Sequence, residues 1–152
     1  MGLTSTYIFN ICSRYCTKFK GVFPSDRIPK NISNNSCLIV NLDVSDQPGT
    51  HFVGIFIGSE FIIYFDPLGF PCFNPHILEF FETTDKTLIE TNHQIQNFNS
   101  SFCGFFCIAY VMSIECNFST ENFLKYFDKE NTKKNDKKVV SFIKLCIKKL
   151  SK

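Results

Sequence analysis

The sequence predicts an α+β fold: a mostly antiparallel, mixed sheet packed on a central buried helix, with further helices flanking it. Three observations carry this expectation. Runs rich in β-branched and aromatic residues at 37–43, 51–57 and 60–65 are separated only by turn chemistry. The run 102–115 is apolar nearly all round, as a helix enclosed by other elements must be. Segments of helical period stand at both ends of the chain, outside the strand region. With 152 residues and 44% apolar content, the chain is expected to form a single domain, 1–152, around one proper core.

The elements follow in order. Over 3–19, Leu3, Tyr7, Ile8, Ile11, Cys12, Tyr15 and Phe19 recur at helical spacing. Residues 21–30 contain two prolines and read as a loop. The run CLIVNLD, 37–43, reads as a buried strand, and Asp46-Gln47-Pro48-Gly49 as a turn. Strands over 51–57 and 60–65, joined by Gly58-Ser59, make a hairpin, so three neighbouring antiparallel strands are expected. Asn74-Pro75 opens a short helix over 75–82, because Pro suits a first helical turn. Residues 87–96 read as another strand. After the central helix, Ser119 can cap a helix over 120–129. The polar stretch 131–138 breaks the pattern. Val139, Phe142, Ile143, Cys146, Ile147 and Leu150 then give a final amphipathic helix, about 136–151, whose other face is Lys.

Composition narrows the function classes. The longest nearly apolar run, 102–114, falls well short of the roughly 20 residues of a spanning helix, so no membrane span is expected. No basic region followed by a long apolar one opens the chain, so no secretion is expected and the eight cysteines are read as reduced thiols. Met1-Gly2-Leu3-Thr4-Ser5-Thr6 fits the loose pattern for N-myristoylation. Charge is segregated: residues 129–152 hold nine Lys against Glu130 and Asp136, a net of +7. Residues 1–128 hold seven basic and twelve acidic residues, a net of −5. The Lys-rich end is read either as a solvated helix face or as a contact for a polyanion such as DNA.

The chemistry gathers at QNFNSSFCGFFC, 96–107, where a polar loop runs into an apolar helix. Asn99, Ser100 or Ser101 can cap that helix, which places Cys103 in its first turn. Unpaired amides and the helix dipole there favour a thiolate. Gly104 is expected to leave room for a substrate backbone beside it. A thiolate nucleophile needs a base that can carry a proton to the leaving group. Of His51, His76 and His93, His51 is preferred because it begins a strand, whereas His76 lies in an exposed helix and His93 in a polar segment. The imidazole needs an orienting acceptor. With Gly58-Ser59 as the turn, paired residue numbers add to 117 and His51 falls opposite Asp66, with Cβ atoms roughly 4.5–5.5 Å apart. An oxyanion donor completes the set. Gln96 can offer its side-chain amide beside the Cys103 N–H, with Gln94 as the other choice.

These residues resemble the adenovirus endopeptidase (adenain) family of cysteine proteases, found in viruses and virus-like transposons and distantly related to SUMO-deconjugating proteases. CLIVN at 37–41 is similar to the family's strand before its histidine, and GTHF at 49–52 to its Gly-x-His-aromatic motif. YFDPLGF at 64–70 resembles its carboxylate-Pro-aromatic-Gly-Phe motif, and 96–107 its Gln…Cys-Gly-x-Phe-Cys motif. The resemblance spans about 7–116. It implies an adenain-like fold and a thiol endopeptidase with Cys103 as nucleophile, His51 as base, Asp66 as orienting acid and Gln96 in the oxyanion hole. It also implies viral capsid or core precursors as substrates, cut after Gly during virion maturation, and stimulation by DNA or a viral peptide. No cofactor is required for the chemistry. A monomer in the virion and in the nucleus or cytoplasm of the infected cell is expected. Asp66 stands where adenain carries Glu, as in the SUMO-deconjugating cousins, and Phe52 stands where Trp is usual. No cysteine lies between Phe73 and Phe102, where adenain ties its peptide by a disulfide. Two other readings remain open: a protease that removes a ubiquitin-like modifier, and a non-catalytic, zinc-stabilised nucleic-acid-binding module using Cys12/Cys16 and Cys103/Cys107.

Overall fold

The computed structural model describes residues 2–45 and 51–152. It is α+β, with the order α1 (Ser5–Tyr15), β1 (Phe19–Pro24), β2 (Ser36–Asn41), β3 (Phe52–Ile57), β4 (Phe61–Phe65), α2 (Pro75–Thr84), β5 (Thr87–Glu90), α3 (Cys103–Glu115), α4 (Thr120–Lys125) and α5 (Asn135–Leu150). Short 3₁₀ turns lie at Ser25–Arg27 and Thr132–Lys134. The expected turn at 46–49 lies outside the described residues.

The strands form one sheet in sequence order, β1-β2-β3-β4-β5. β2, β3 and β4 are antiparallel, as the three adjacent runs predict, while β1 on β2 and β5 on β4 are parallel. The sheet is therefore evenly mixed rather than mostly antiparallel. Both parallel strands lie at its edges; the first was not expected from sequence, and the second is shorter than expected. Residues 19–24, read as helix end and loop, form β1. An edge strand tolerates Pro24, because an edge does not need every ladder donor. The strand expected over 87–96 ends at Glu90, and the chain then passes through Asn92, with φ of 49°, into the loop that leads to Gln96.

Side-chain alternation builds a core on each face of the sheet. Cys37, Ile39, Phe52 and Phe65 join α1, α3, α4 and α5 on one face. Leu38, Val40, Val53, Ile55, Ile62 and Tyr64 pack with Ile77, Phe80 and Phe81 of α2 on the other. The central helix α3 is enclosed as its composition demands: every residue from Cys103 to Ile114 except Phe105 is buried. Its Tyr110 ring stacks on Phe65 at 4.7 Å and tilts against Phe123 at 5.5 Å. Truncating a buried aromatic of this kind to Ala costs about 3–5 kcal/mol. Asn74 accepts from the amides of His76 and Ile77 to cap α2, and Ser119 accepts from Asn122 N to cap α4. α4 ends at Lys125, short of residue 129. No described helix is long and apolar enough to cross a membrane.

The hairpin register differs from the expected one. Gly54 pairs with Phe65 and Ile57 with Ile62, so paired numbers add to 119. Gly58 is not in the turn: its N–H donates to Phe61 O at 2.8 Å, leaving Ser59-Glu60 as the connection. The Phe61 ring lies over Gly58, and Lys86 Nζ donates to the Gly58 and Ser59 carbonyls at 2.7 and 2.8 Å.

Candidate active site

Cys103 is the first residue of α3, at the end of the sheet where β3 begins and β4 ends. None of the expected side-chain caps is in place. The residue before the helix is Phe102, which makes no capping bond. Ser100 Oγ accepts instead from Phe102 N at 3.0 Å and donates to Asp136 Oδ1 at 2.8 Å. The first-turn amides thus have no side-chain cap, and the backbone N–H groups of Gly104 and of Phe52 in β3 favour the ionised form of the Cys103 sulfur.

His51 directly precedes β3, and its carbonyl accepts from Leu42 N at 3.0 Å, which fixes the backbone beside the end of β2. Its Nε2 lies 2.8 Å from Asp66 Oδ1. The carboxylate can only accept, so Nε2 carries the proton and Nδ1 is left for the sulfur. The imidazole also lines the cavity with Cys103, whose sulfur helps to raise its pKa. His51 and Asp66 meet although the ladder places Val53, not His51, opposite Asp66. A register displaced by two residues keeps every side chain on its own face, so His51 reaches Asp66 along the diagonal. Asp66 is 3% exposed, and its Oδ1 also accepts from Leu68 N at 2.9 Å.

Electrostatics follow from this chain of contacts. Burial alone would raise the Cys103 pKa, but the hydrogen bond and charge of His51, with the Phe52 and Gly104 amides, hold it below the ordinary thiol value. Burial alone would lower the His51 pKa. Asp66 first, and the sulfur second, push it up to about 9. The two shifts act in the same sense, favouring the thiolate–imidazolium form of the pair over the neutral one. The shifted thiols elsewhere move the other way: burial raises Cys12, Cys37, Cys72 and Cys107, and takes Cys16 and Cys146 up to about 12.

Gln96 lines the same cavity, about 520 Å³ in volume, together with His51, Phe52 and Cys103. It is 2% exposed. Its Nε2 donates to Ser100 O at 2.9 Å and keeps a second hydrogen, while Oε1 is buried without a partner among the described residues. Gln94, the other choice, spends its amide on the Gln96 carbonyl at 3.0 Å. Pro67 O accepts from both Ile95 N and Gln96 N at 2.9 Å, so the turn that bears Asp66 also holds the loop that bears Gln96. Gly69 is required there: its φ is +84°, and a side chain would lie 2.7 Å from Gln94 N. His76 is exposed on α2, and His93 lies in the 91–101 loop; neither lines the cavity.

Sequence reading missed a buried polar hub. Asn135, dismissed as part of a pattern-breaking stretch, is fully buried and opens α5. Its Nδ2 donates to Ile95 O and Asp128 O, both at 2.8 Å, and its Oδ1 accepts from Asp128 N at 2.9 Å. Asn97 Nδ2 donates to Thr132 Oγ1 at 3.0 Å. With the Ser100–Asp136 bond, these contacts tie the 95–100 loop to the C-terminal segment. An Asn just before a helical run is the signal that could have drawn attention to it.

No protein-family model and no curated protein matches the sequence. The eight cysteines are unbridged, and no group of three or more His, Cys, Asp or Glu among the described residues could hold a metal ion.

Proposed function

We propose that this chain is a cysteine endopeptidase of adenain-like fold that cuts viral structural precursors after Gly during virion maturation. One observation carries the reading: Asp66 is hydrogen-bonded to His51, and His51 shares a cavity with Cys103, which opens a helix that has no side-chain cap. The substrate class comes from the resemblance of the motifs at 37–41, 49–52, 64–70 and 96–107.

In the proposed reaction the Cys103 thiolate attacks the scissile carbonyl carbon. The resulting oxyanion accepts from the Cys103 N–H and the free hydrogen of Gln96 Nε2. The C–N bond then breaks as the proton of the His51 imidazolium passes to the leaving amine, which leaves a thioester and a neutral imidazole. Water attacks the thioester and gives its proton to His51. The C–S bond breaks, the acid departs, and thiolate and imidazolium are restored. Asp66 keeps the ring in one orientation throughout and stabilises its charged form. The Lys-rich α5 is proposed as the contact for DNA that stimulates the enzyme in the virion or the infected cell.

Purified protein given a capsid-precursor peptide containing Gly, beside a ubiquitin-like modifier ending in Gly-Gly, tests this reading. The precursor peptide should be cut after Gly, with Cys103→Ala slower by at least about 10³-fold. Cleavage of the modifier alone would turn the reading to deconjugation. Cleavage that survives Cys103→Ala would refute it.

A further inference from the structure

The cavity at Cys103 has a wall that none of the catalytic motifs supplies. Gly2 and Leu3 line it along with His51, Gln96 and Cys103. The segment lies against the start of α3. A methyl group on Gly104 would lie 3.2 Å from Leu3 Cβ and 3.1 Å from Ile8 Cδ1, and one on Gly2 would lie 3.3 Å from Ser101 O. The space beside Gly104, which the sequence suggests is open to a substrate, is thus filled by Leu3 and by Ile8 of α1. The segment is held at its far end as well, because Thr4 Oγ1 accepts from Tyr7 N at 3.1 Å and sets where the chain enters α1. Leu3 is half-buried and packs on the core cluster that includes Cys103, so its position is determined by packing.

We propose that Leu3 is a specificity-determining residue: with Gly2 it forms the cleft wall beside the nucleophile and limits the bulk of the group that can reach the Cys103 sulfur. The favoured substrate is then a peptide strand with no side chain where it passes this wall. This rests on Cys103 being the nucleophile.

The test compares the rates at which Cys103 is alkylated by iodoacetamide and by the bulkier iodoacetanilide. A change of one or two methylenes in a pocket shifts selectivity by about tenfold or more. Leu3→Ala should therefore raise the iodoacetanilide-to-iodoacetamide rate ratio about tenfold, and Leu3→Trp should lower it by a similar factor. An unchanged ratio in Leu3→Ala on a reactive Cys103 overturns the wall and leaves the nucleophile standing. Equal acceleration with both reagents also overturns it, because loosening of the helix start would not discriminate by size. Wild-type Cys103 inert to iodoacetamide overturns the nucleophile, and the wall with it.

Discussion

Asp66 does the decisive electrostatic work at the residue scale. Burial would leave His51 neutral near pH 7, and the carboxylate at 2.8 Å, joined by the Cys103 sulfur, reverses that and takes the imidazole to about 9. The sign for Asp66→Asn follows directly. Loss of the carboxylate lowers the His51 pKa, and loss of the imidazolium raises the Cys103 pKa, so the pH window for the ion pair narrows from both sides. The acid limb of the Cys103 alkylation profile should move to higher pH, and peptide cleavage should fall by about 10²–10⁴-fold. A profile measured from pH 5 to 10 that is identical in Asp66→Asn would show that the carboxylate does not tune the pair. All four nominated side chains, Cys103, His51, Asp66 and Gln96, were legible as residue types in their places. The route to the His51–Asp66 contact was not, because the turn was set one residue early. The contact survived since a two-residue displacement preserves the face, which a one-residue displacement would have reversed.

At the scale of elements, the C-terminal segment is a buttress as well as a basic surface. Asn135 holds Ile95 O and both backbone groups of Asp128, while Thr132 and Asp136 hold Asn97 and Ser100. Asn135→Ala would strand the buried Ile95 carbonyl and the part-buried N–H and carbonyl of Asp128, at a cost of about 1–3 kcal/mol. Because the stranded carbonyl of Ile95 is next to Gln96, kcat should fall more than KM changes, alongside a lower Tm. Unaltered kcat with a lowered Tm would reduce Asn135 to a fold residue only. This buttress was hidden from the sequence because polarity is read as exposure, whereas Asn135 satisfies its amide inside. The edge strand β1 escaped because it mixes Gly21 and Pro24 with apolar residues, while β5 was expected but is only four residues long. The strand runs at 37–43, 51–57 and 60–65 and the apolar helix announced themselves, because central elements buried on both faces leave little freedom in composition.

The whole molecule sets Cys103 apart from seven other buried thiols. Exposure does not distinguish them: Cys103 and Cys116 are each 8% exposed, and Cys72 is 7%. Ionisation sets Cys103 apart from six of them: burial raises Cys12, Cys16, Cys37, Cys72, Cys107 and Cys146, while His51 and the start of α3 lower Cys103. The fold achieves this by bringing the end of the sheet that carries His51 and Asp66 onto the amino end of its most enclosed helix. Thiolate is the form that alkylates, so selectivity among the eight cysteines at low pH reports the arrangement itself. Native protein treated with limiting iodoacetamide at pH 6, followed by mapping of the modified cysteine, is the most direct measurement. Cys103 should be labelled first and His51→Ala should slow its labelling; uniform labelling, or labelling led by Cys12 or Cys72, would contradict a thiolate–imidazolium pair at this site.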